Sequence, residues 1–177
     1  QRGGRWPAAY DGLILMANLH GSRLNMDVLE KRGSGYVGRH GPDLLLVDDS
    51  WFLAVAIAQA HDGNVYVTDM MRCMVQKFDR DGKYISGFGR LGDHAGSFAR
   101  PKHLTVDSDG IIYVVDAAFQ NVQMFNDKYE LLMFFGSAGD HPGSMSLPVG
   151  IVATDQGLEY FKDKIYPGFE AKRLVLV

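Results

Sequence analysis

A repeat of 47 residues runs through the middle of this 177-residue sequence and constrains its fold more than any single motif does. Residues 62–108 and 109–155 align without a gap and share 16 identical positions, where unrelated sequences would share about 3. The shared positions include the loop tripeptide Gly-Asp-His, which occurs at residues 92–94 and again at residues 139–141. A period of this length predicts one supersecondary unit that is repeated along the chain.

Each copy of the repeat predicts four short strands. In the unit that begins at Pro101 they are expected at residues 102–106, 111–115, 122–126 and 131–135, where apolar, β-branched and aromatic residues are enriched. The Asp-Gly pair at residues 109–110 provides a turn, because glycine accepts the positive φ of a tight hairpin. Four antiparallel strands every 40–50 residues or so are typical of a propeller blade. The predicted fold class is therefore all-β, a β-propeller of four-stranded antiparallel blades.

Residues 101–136 resemble an NHL repeat. The resemblance rests on Pro101, on Asp107-Ser108-Asp109-Gly110-Ile111-Ile112-Tyr113-Val114-Val115-Asp116, on Val122-Gln123-Met124-Phe125 and on Phe134-Phe135-Gly136. The preceding copy is similar, so the resemblance covers residues 54–157, about 60% of the chain. It implies a β-propeller, usually of six blades. Three positions depart from the family pattern: His103 stands where glycine is usual, and Met74 and Asn121 stand where arginine is usual.

The chain is predicted to be a single partial propeller over residues 1–177, with about three to four of the six blades that the resemblance implies. The expected blades are residues 10–53, which are divergent, 54–100, 101–147 and 148–177, the last one incomplete and with an insertion at 156–170. Since six blades of 47 residues exceed the length of this chain, which begins at Gln1, we expect it to be a segment of a longer protein.

The two terminal blades are predicted from weaker patterns. A shift of 51 residues places 11–18 on 62–69 and 36–39 on 87–90, which defines the divergent first blade. In the last blade we expect a short helix within residues 158–165 and a terminal strand at 172–177.

Composition argues against several classes of protein. Eighteen Lys and Arg residues against 21 Asp and Glu residues give a net charge of -3, which does not favour a nucleic-acid partner. No apolar run reaches the ~18–20 residues of a membrane helix, so no membrane insertion is expected. Cys73 is the only cysteine in the sequence, which excludes a disulfide within the chain and any site that needs two cysteines.

Three histidines are candidate metal ligands. His94 and His141 occupy the same position of the repeat, and His40 is expected in the corresponding loop one blade earlier. Neighbouring blades would direct these imidazoles towards one rim, where they could bind a metal ion. Our main expectation is that the protein has no cofactor, and a Zn or Ca site is the alternative. The competing interpretation is that Gly-Asp-His-x-Gly is a turn sequence that was duplicated with its loop. His103, at the start of a predicted innermost strand, is a candidate channel-facing residue for acid–base chemistry.

Two further sets of residues are assigned by their place in the repeat. The loop before the third strand of one blade contains Met70, Met71 and Arg72, and Phe119 occupies the position of Arg72 in the next blade. These residues predict an apolar protein-contact surface on the same face as the histidine loops. Asp69 and Asp116 end the second strand of their blades, and we expect them to accept hydrogen bonds from loop amides.

No catalytic residues are assigned, and the leading functional prediction is a non-enzymatic interaction scaffold or accessory subunit that binds other protein subunits. The resemblance to NHL propellers implies a bacterial, extracytoplasmic protein, in the periplasm or at the cell surface. Some propellers of this type accompany a multihaem cytochrome or other respiratory subunits, so the resemblance also implies such subunits as partners. The alternative is a metal-assisted propeller lyase or hydrolase with histidine ligands at the channel mouth.

Overall fold

The computed structural model describes residues 10–177, which form a series of antiparallel sheets. The first sheet contains three strands, β1 (Leu13–Asn18), β2 (Arg23–Arg32) and β3 (Gly35–Leu46). Two four-stranded sheets follow. One contains β4 (Ala54–Gln59), β5 (Val65–Asp69), β6 (Met74–Phe78) and β7 (Tyr84–Phe88). The other contains β8 (Pro101–Val106), β9 (Ile112–Asp116), β10 (Asn121–Phe125) and β11 (Leu131–Phe135). The last sheet pairs β12 (Val152–Thr154) with β13 (Leu174–Leu176). The predicted fold class, a partial propeller of four-stranded antiparallel blades, is confirmed.

The second strand of each four-stranded sheet lies at the centre of the fold. All five residues of β5 and of β9 are buried, because each of these strands has neighbours on both edges and packed blades on its faces. β4 packs against β8, and β8 against β12, so the first strands of successive sheets lie side by side along the inner edge. The last strands, β7 and β11, are the most exposed, as expected for the outer edge of a blade.

The first sheet corresponds to the second, third and fourth strands of a blade. β1 packs against β4 in the way that β5 packs against β8, which agrees with the alignment of residues 11–18 with 62–69. The first sheet also abuts the second blade closely at Gly82, whose φ is +78°. A Cβ added there would collide with the carbonyl oxygen of Leu44, so only glycine fits.

The alignment of residues 36–39 with 87–90 is wrong. β2 and β3 contain 10 and 12 residues and turn at Gly33, whose φ is +59°, whereas β6 and β7 contain 5 residues each. Residues 36–39 therefore lie in the far, exposed part of a long hairpin, and the part of β3 that enters the core is at Leu44. His40 lies inside β3 opposite Asp27, not in the loop where the sequence placed it.

The connection between β12 and β13 contains a 3-10 helix at Leu158–Lys164, where a short helix was expected, and β13 lies within the expected terminal strand. Among the helices of residues 10–177, none has the length and apolar character needed to cross a membrane.

Candidate functional site

The two ends of the blades carry different connections, and we name them for these. The loop face carries the long loops at residues 89–100 and 136–151 and the shorter loops at 70–73 and 117–120. The turn face carries the hairpin turns at residues 60–64, 79–83, 107–111 and 126–130. Because alternate connections of an antiparallel blade lie at the same end, each face collects equivalent residues from successive blades.

A cleft of about 400 Å³ opens on the loop face between the second and third blades. Phe119, from the loop after β9, and Phe134, from β11, contribute its aromatic rings, and Asp93 and His94 come from the loop after β7. The structure thus brings Phe119 and the His94 loop together on one face, as their positions in the repeat predicted.

Asp116 holds the Phe119 loop in place. Its buried carboxylate accepts hydrogen bonds from the backbone N–H groups of Ala118 at 2.9 Å and Phe119 at 3.1 Å, and from those of Ala99 and Arg100 in the preceding loop at 2.7 and 3.1 Å. One side chain therefore joins two loops of the loop face. The prediction that this residue accepts hydrogen bonds from loop amides is confirmed.

Asp69 has the same role in the second blade. It accepts hydrogen bonds from the backbone N–H of Leu53 at 3.2 Å and of Arg72 at 3.3 Å, and from the side chain of Gln76 at 2.8 Å. The predicted role of Asp69 is confirmed as well.

Gln123 fixes the loop that carries His94. This buried amide accepts a hydrogen bond from the N–H of Gly96 at 3.1 Å and donates one to the carbonyl of Ser97 at 2.8 Å. Its equivalent in the second blade, Gln76, binds Asp69 instead. The cleft beside Gln123 is thus bordered by a loop that side-chain hydrogen bonds hold in shape.

The three candidate metal ligands do not come together. His94 contacts its neighbour Asp93 at 2.7 Å, and the Nδ1 of His141 lies 2.7 Å from the Oγ of Ser144. His40 lies 3.5 Å from Asp27 across the long hairpin, because it belongs to a strand and not to a loop. Within residues 10–177 no group of three or more His, Cys, Asp or Glu side chains is placed to hold a metal ion.

The predicted contact residues divide between the cleft and its surroundings. Phe119 borders the cleft, whereas Met70, Met71 and Arg72 are outside its lining. Met71 is 49% exposed, but Arg72 forms ion pairs with Asp49 and, at 3.7 Å, with the buried Asp69. Arg72 is therefore held against its own blade. Phe134, which was not among the predicted contact residues, is 60% exposed and lines the cleft together with Phe119.

His103 lies on β8, the innermost strand of the third blade, opposite Val115. It is half-buried, and its Nδ1 atom has neither solvent contact nor a hydrogen-bond partner in the described structure. Burial lowers the pKa of this imidazole below its usual 6.5, because the charged form loses hydration.

The turn face holds a charged cluster that the sequence did not predict. Arg173, which precedes β13, contacts Asp107, lies 3.1 Å from Asp109 and donates a hydrogen bond to Asp155 at 3.1 Å. Burial disfavours the guanidinium, but hydrogen bonds with Tyr113, Asp155 and Asp109 raise the pKa of Arg173 above its usual value. Hydrogen bonds from Ser108 and Arg173 lower the pKa of Asp155. The cluster fastens the last sheet to the third blade.

A pocket of about 200 Å³ next to this cluster brings together His61, Ser108 and Asp155. These residues occupy one position of the 47-residue repeat in three successive blades. Ser108 donates a hydrogen bond to Asp155 at 3.0 Å. The spacing of 47 residues between them is the signal in the sequence that would have located this pocket.

Comparison with known proteins supports the same architecture. Residues 48–133 match the family DUF5128, described as a 6-bladed beta-propeller. No curated protein matches the chain.

Solved structures that resemble the chain share its fold at low sequence identity. Virginiamycin B lyase from Staphylococcus aureus aligns with a TM-score of 0.53 and 14% identity over 82% of this chain and 42% of the lyase. A functionally unknown protein from Desulfotomaculum acetoxidans aligns with a TM-score of 0.51 and 15% identity over 80% of this chain and 44% of that protein. A protein of unknown function from Bacteroides caccae gives a TM-score of 0.50 and 15% identity over 73% and 44%.

The chain thus spans less than half the length of each of these proteins. The internal repeat, the successive four-stranded sheets and these matches together identify the chain as a segment of a β-propeller, in which residues 48–133 match the six-bladed family.

Proposed function

We propose that this chain is a protein-interaction module, a scaffold or accessory subunit that binds its partner in the loop-face cleft. The observation that carries the proposal is Phe134, an aromatic side chain that is 60% exposed next to Phe119 in a cleft between two blades. Exposed aromatic residues in a concave surface are typical of the anchors of protein–protein interfaces.

The polar groups of the cleft also support binding of a protein segment. Asn121 lines the cleft, and its Oδ1 atom is buried without a hydrogen-bond partner in the described structure. Because this atom has almost no solvent-accessible surface, a peptide N–H reaches it only if the amide turns towards the cleft, and the polar groups that a bound peptide meets directly are the exposed side chains of Asp93 and His94. Gln123 has its own partners on the His94 loop and serves to hold the wall.

Two broader features of the proposal rest on the NHL resemblance alone. They are an extracytoplasmic location, in the periplasm or at the cell surface, and membership in a larger assembly such as one with a multihaem cytochrome. The metal-assisted lyase or hydrolase ranks second. Its support is a fold likeness to virginiamycin B lyase at 14% identity, while His40, His94 and His141 lie in separate settings.

The proposal is tested by recovering partners of the tagged chain from extracts of its own cells. Phe119→Asp and Phe134→Asp should each reduce partner recovery at least tenfold, because a carboxylate in the cleft would have to be desolvated on binding. The matched control is Tyr160→Asp, which changes an aromatic residue that is 84% exposed on the 3-10 helix.

Quantitative mass spectrometry of the recovered proteins provides the readout, and circular dichroism verifies the fold of each variant. Met71→Asp shows whether the interface extends beyond the cleft. Equal recovery by wild type, Phe119→Asp and Phe134→Asp would rule out the cleft as the binding surface.

A further inference from the structure

The first sheet carries a projection that the other sheets lack. β2 and β3 contain 10 and 12 residues, whereas β6, β7, β10 and β11 contain 5 each. Leu24 and Met26, at the start of β2, are buried in the core, but from Val28 onward every residue of β2 except the half-buried Glu30 is exposed. We call residues 28–41 the ribbon.

The ribbon extends from the turn face. β2 and β3 occupy the positions of third and fourth strands, so their connecting turn at Gly33 lies at the same end as the turns at residues 79–83 and 126–130. At about 3.3 Å per residue, the five additional residues of β2 carry the ribbon roughly 16 Å beyond the length of a normal blade strand.

The ribbon exposes apolar side chains on both of its faces. Val28 and Val37 lie on one face and are 40% and 39% exposed, and Leu29 and Tyr36 lie on the other and are 41% and 65% exposed. An isolated two-stranded hairpin is only marginally stable in water. A ribbon of this kind gains stability when a second surface covers it.

The ribbon is basic, although the chain as a whole is acidic. It contains Lys31, Arg32 and Arg39 against the single carboxylate of Glu30, in a chain of net charge -3. Arg39 pairs with Glu30 at 2.7 Å. Lys31 and Arg32, next to the turn, form no ion pair within residues 10–177 and are free to bind an acidic surface.

The turn face that surrounds the base of the ribbon is acidic. In the hairpin turns of the second and third blades, seven carboxylates outnumber three basic side chains. Within residues 10–177, the pairing of Arg173 with Asp107 and Asp109 and of Lys77 with Asp62 leaves the other four carboxylates without an ion pair. The carboxylates are Asp62, Asp79, Asp81, Asp107, Asp109, Asp127 and Glu130, and the basic residues are Arg80, Lys83 and Lys128. The basic projection and the acidic surface therefore lie at the same end of the molecule.

We infer that two copies of this chain associate turn face to turn face about a two-fold axis, with the ribbon of each copy on the acidic turns of the other. A two-fold axis uses both complementary surfaces twice and leaves neither ribbon uncovered. The dimer leaves the loop-face cleft free, so a test of the dimer and a test of the proposed function can have different outcomes.

Charge reversal tests the dimer directly. Lys31→Glu with Arg32→Glu makes the ribbon acidic, and Asp81→Lys with Asp127→Lys makes the turn face more basic at two exposed positions. Sedimentation velocity over a hundredfold range of protein concentration should show a wild-type dimer that dissociates with added salt, because exposed charges are screened. Each reversed variant alone should dimerise at least tenfold more weakly than wild type.

Mixing the two reversed variants is the decisive arm. The acidic ribbon of one then meets the basic turn face of the other, and the unchanged surfaces pair as before, so the mixture should regain the dimer that both variants lack. The matched control, Arg90→Glu with Arg100→Glu, reverses two exposed charges on the loop face and should dimerise like wild type.

A monomeric wild-type chain at every concentration would overturn the proposal, and would leave a different acidic protein as the occupant of the ribbon. Dimerisation that no charge reversal weakens, or a mixture that stays monomeric, would overturn it as well.

Discussion

At the scale of single residues, equivalent positions of the repeat keep their geometry but change their partners. Asp69 and Asp116 both end a second strand and both bind backbone N–H groups of two loops. Gln76 and Gln123 are also equivalent, yet one binds an aspartate and the other a loop. The difference lets the third blade support the His94 loop, which borders the cleft.

His103 should make the stability of the protein depend on pH. Burial lowers the pKa of its imidazole below 6.5, so the unfolded chain binds a proton that the folded chain does not bind. The free energy of unfolding should therefore decrease as the pH falls below about 6.5, and His103→Gln should remove this part of the decrease. Urea unfolding at several pH values measures it, with His94→Gln, an exposed histidine, as the control. If wild type and His103→Gln lost stability in parallel, the buried imidazole would not be the cause.

The residue roles that could be predicted are those that local sequence determines. Asp116 follows a strand and precedes a loop, and this alone indicates a carboxylate that binds loop amides. Arg173 could not be assigned in this way, because it lies 66 residues from its partner Asp107 and outside the frame of the repeat. Phe134 was missed because alternation along a strand does not show that an outer strand leaves an aromatic residue exposed.

At the scale of elements, β13 depends on a charged cluster more than on packing. The strand contains three residues, none of them buried, and Arg173 next to it contacts three aspartates of the turn face. A strand this short contributes few hydrogen bonds of its own.

Arg173→Met should therefore release β13 from the third blade. The substitution keeps much of the side-chain volume but leaves the buried carboxylate of Asp107 without its cationic partner. Amide hydrogen exchange at residues 174–176 should accelerate at least tenfold, while exchange in β5 stays slow. Lys172→Met, one position earlier, is the control and should leave exchange at these residues unchanged. Unaltered exchange in Arg173→Met would show that packing alone holds the strand.

Strand positions inside the repeat could be predicted closely, and those outside it could not. The predicted strand at residues 131–135 coincides with β11 (Leu131–Phe135). The long β2–β3 hairpin was not foreseen, because the similarity of residues 36–39 to 87–90 suggested an early end for a strand that continues to Leu46. The length of a hairpin depends on where its turn forms, and Gly33-Ser34 is a short signal among the five glycines of residues 21–41.

At the scale of the whole molecule, an aromatic cluster joins the second and third blades. Phe98, from the loop between the blades, is fully buried with its ring centre 5.8 Å from that of Phe125 and 6.3 Å from that of Phe88. Phe88 also stacks on Tyr129 at 4.7 Å. Because both blades contribute rings to one cluster, we expect them to unfold together.

Phe98→Ala should destabilise both blades at once. Loss of this buried ring should lower the free energy of unfolding by about 3–5 kcal/mol, as is usual for large-to-small changes in a core. Chemical denaturation gives the total loss, and hydrogen exchange should show reduced protection in both β5 and β9. Phe134→Ala, at an exposed position, should cost less than about 1 kcal/mol. Loss of protection in only one of the two blades would mean that they are separate folding units.

The pocket of His61, Ser108 and Asp155 has a consequence for how such a molecule can change. Three successive blades place one repeat position around a single pocket, and each blade supplies a different chemical group: an imidazole, a hydroxyl and a carboxylate. His61 makes no contact with Arg173 in the described structure, so its imidazole can be replaced without loosening the last sheet, whereas Ser108 and Asp155 also bind Arg173. Radial repetition thus lets the chemistry of the pocket change first at the blade whose group carries no structural contact.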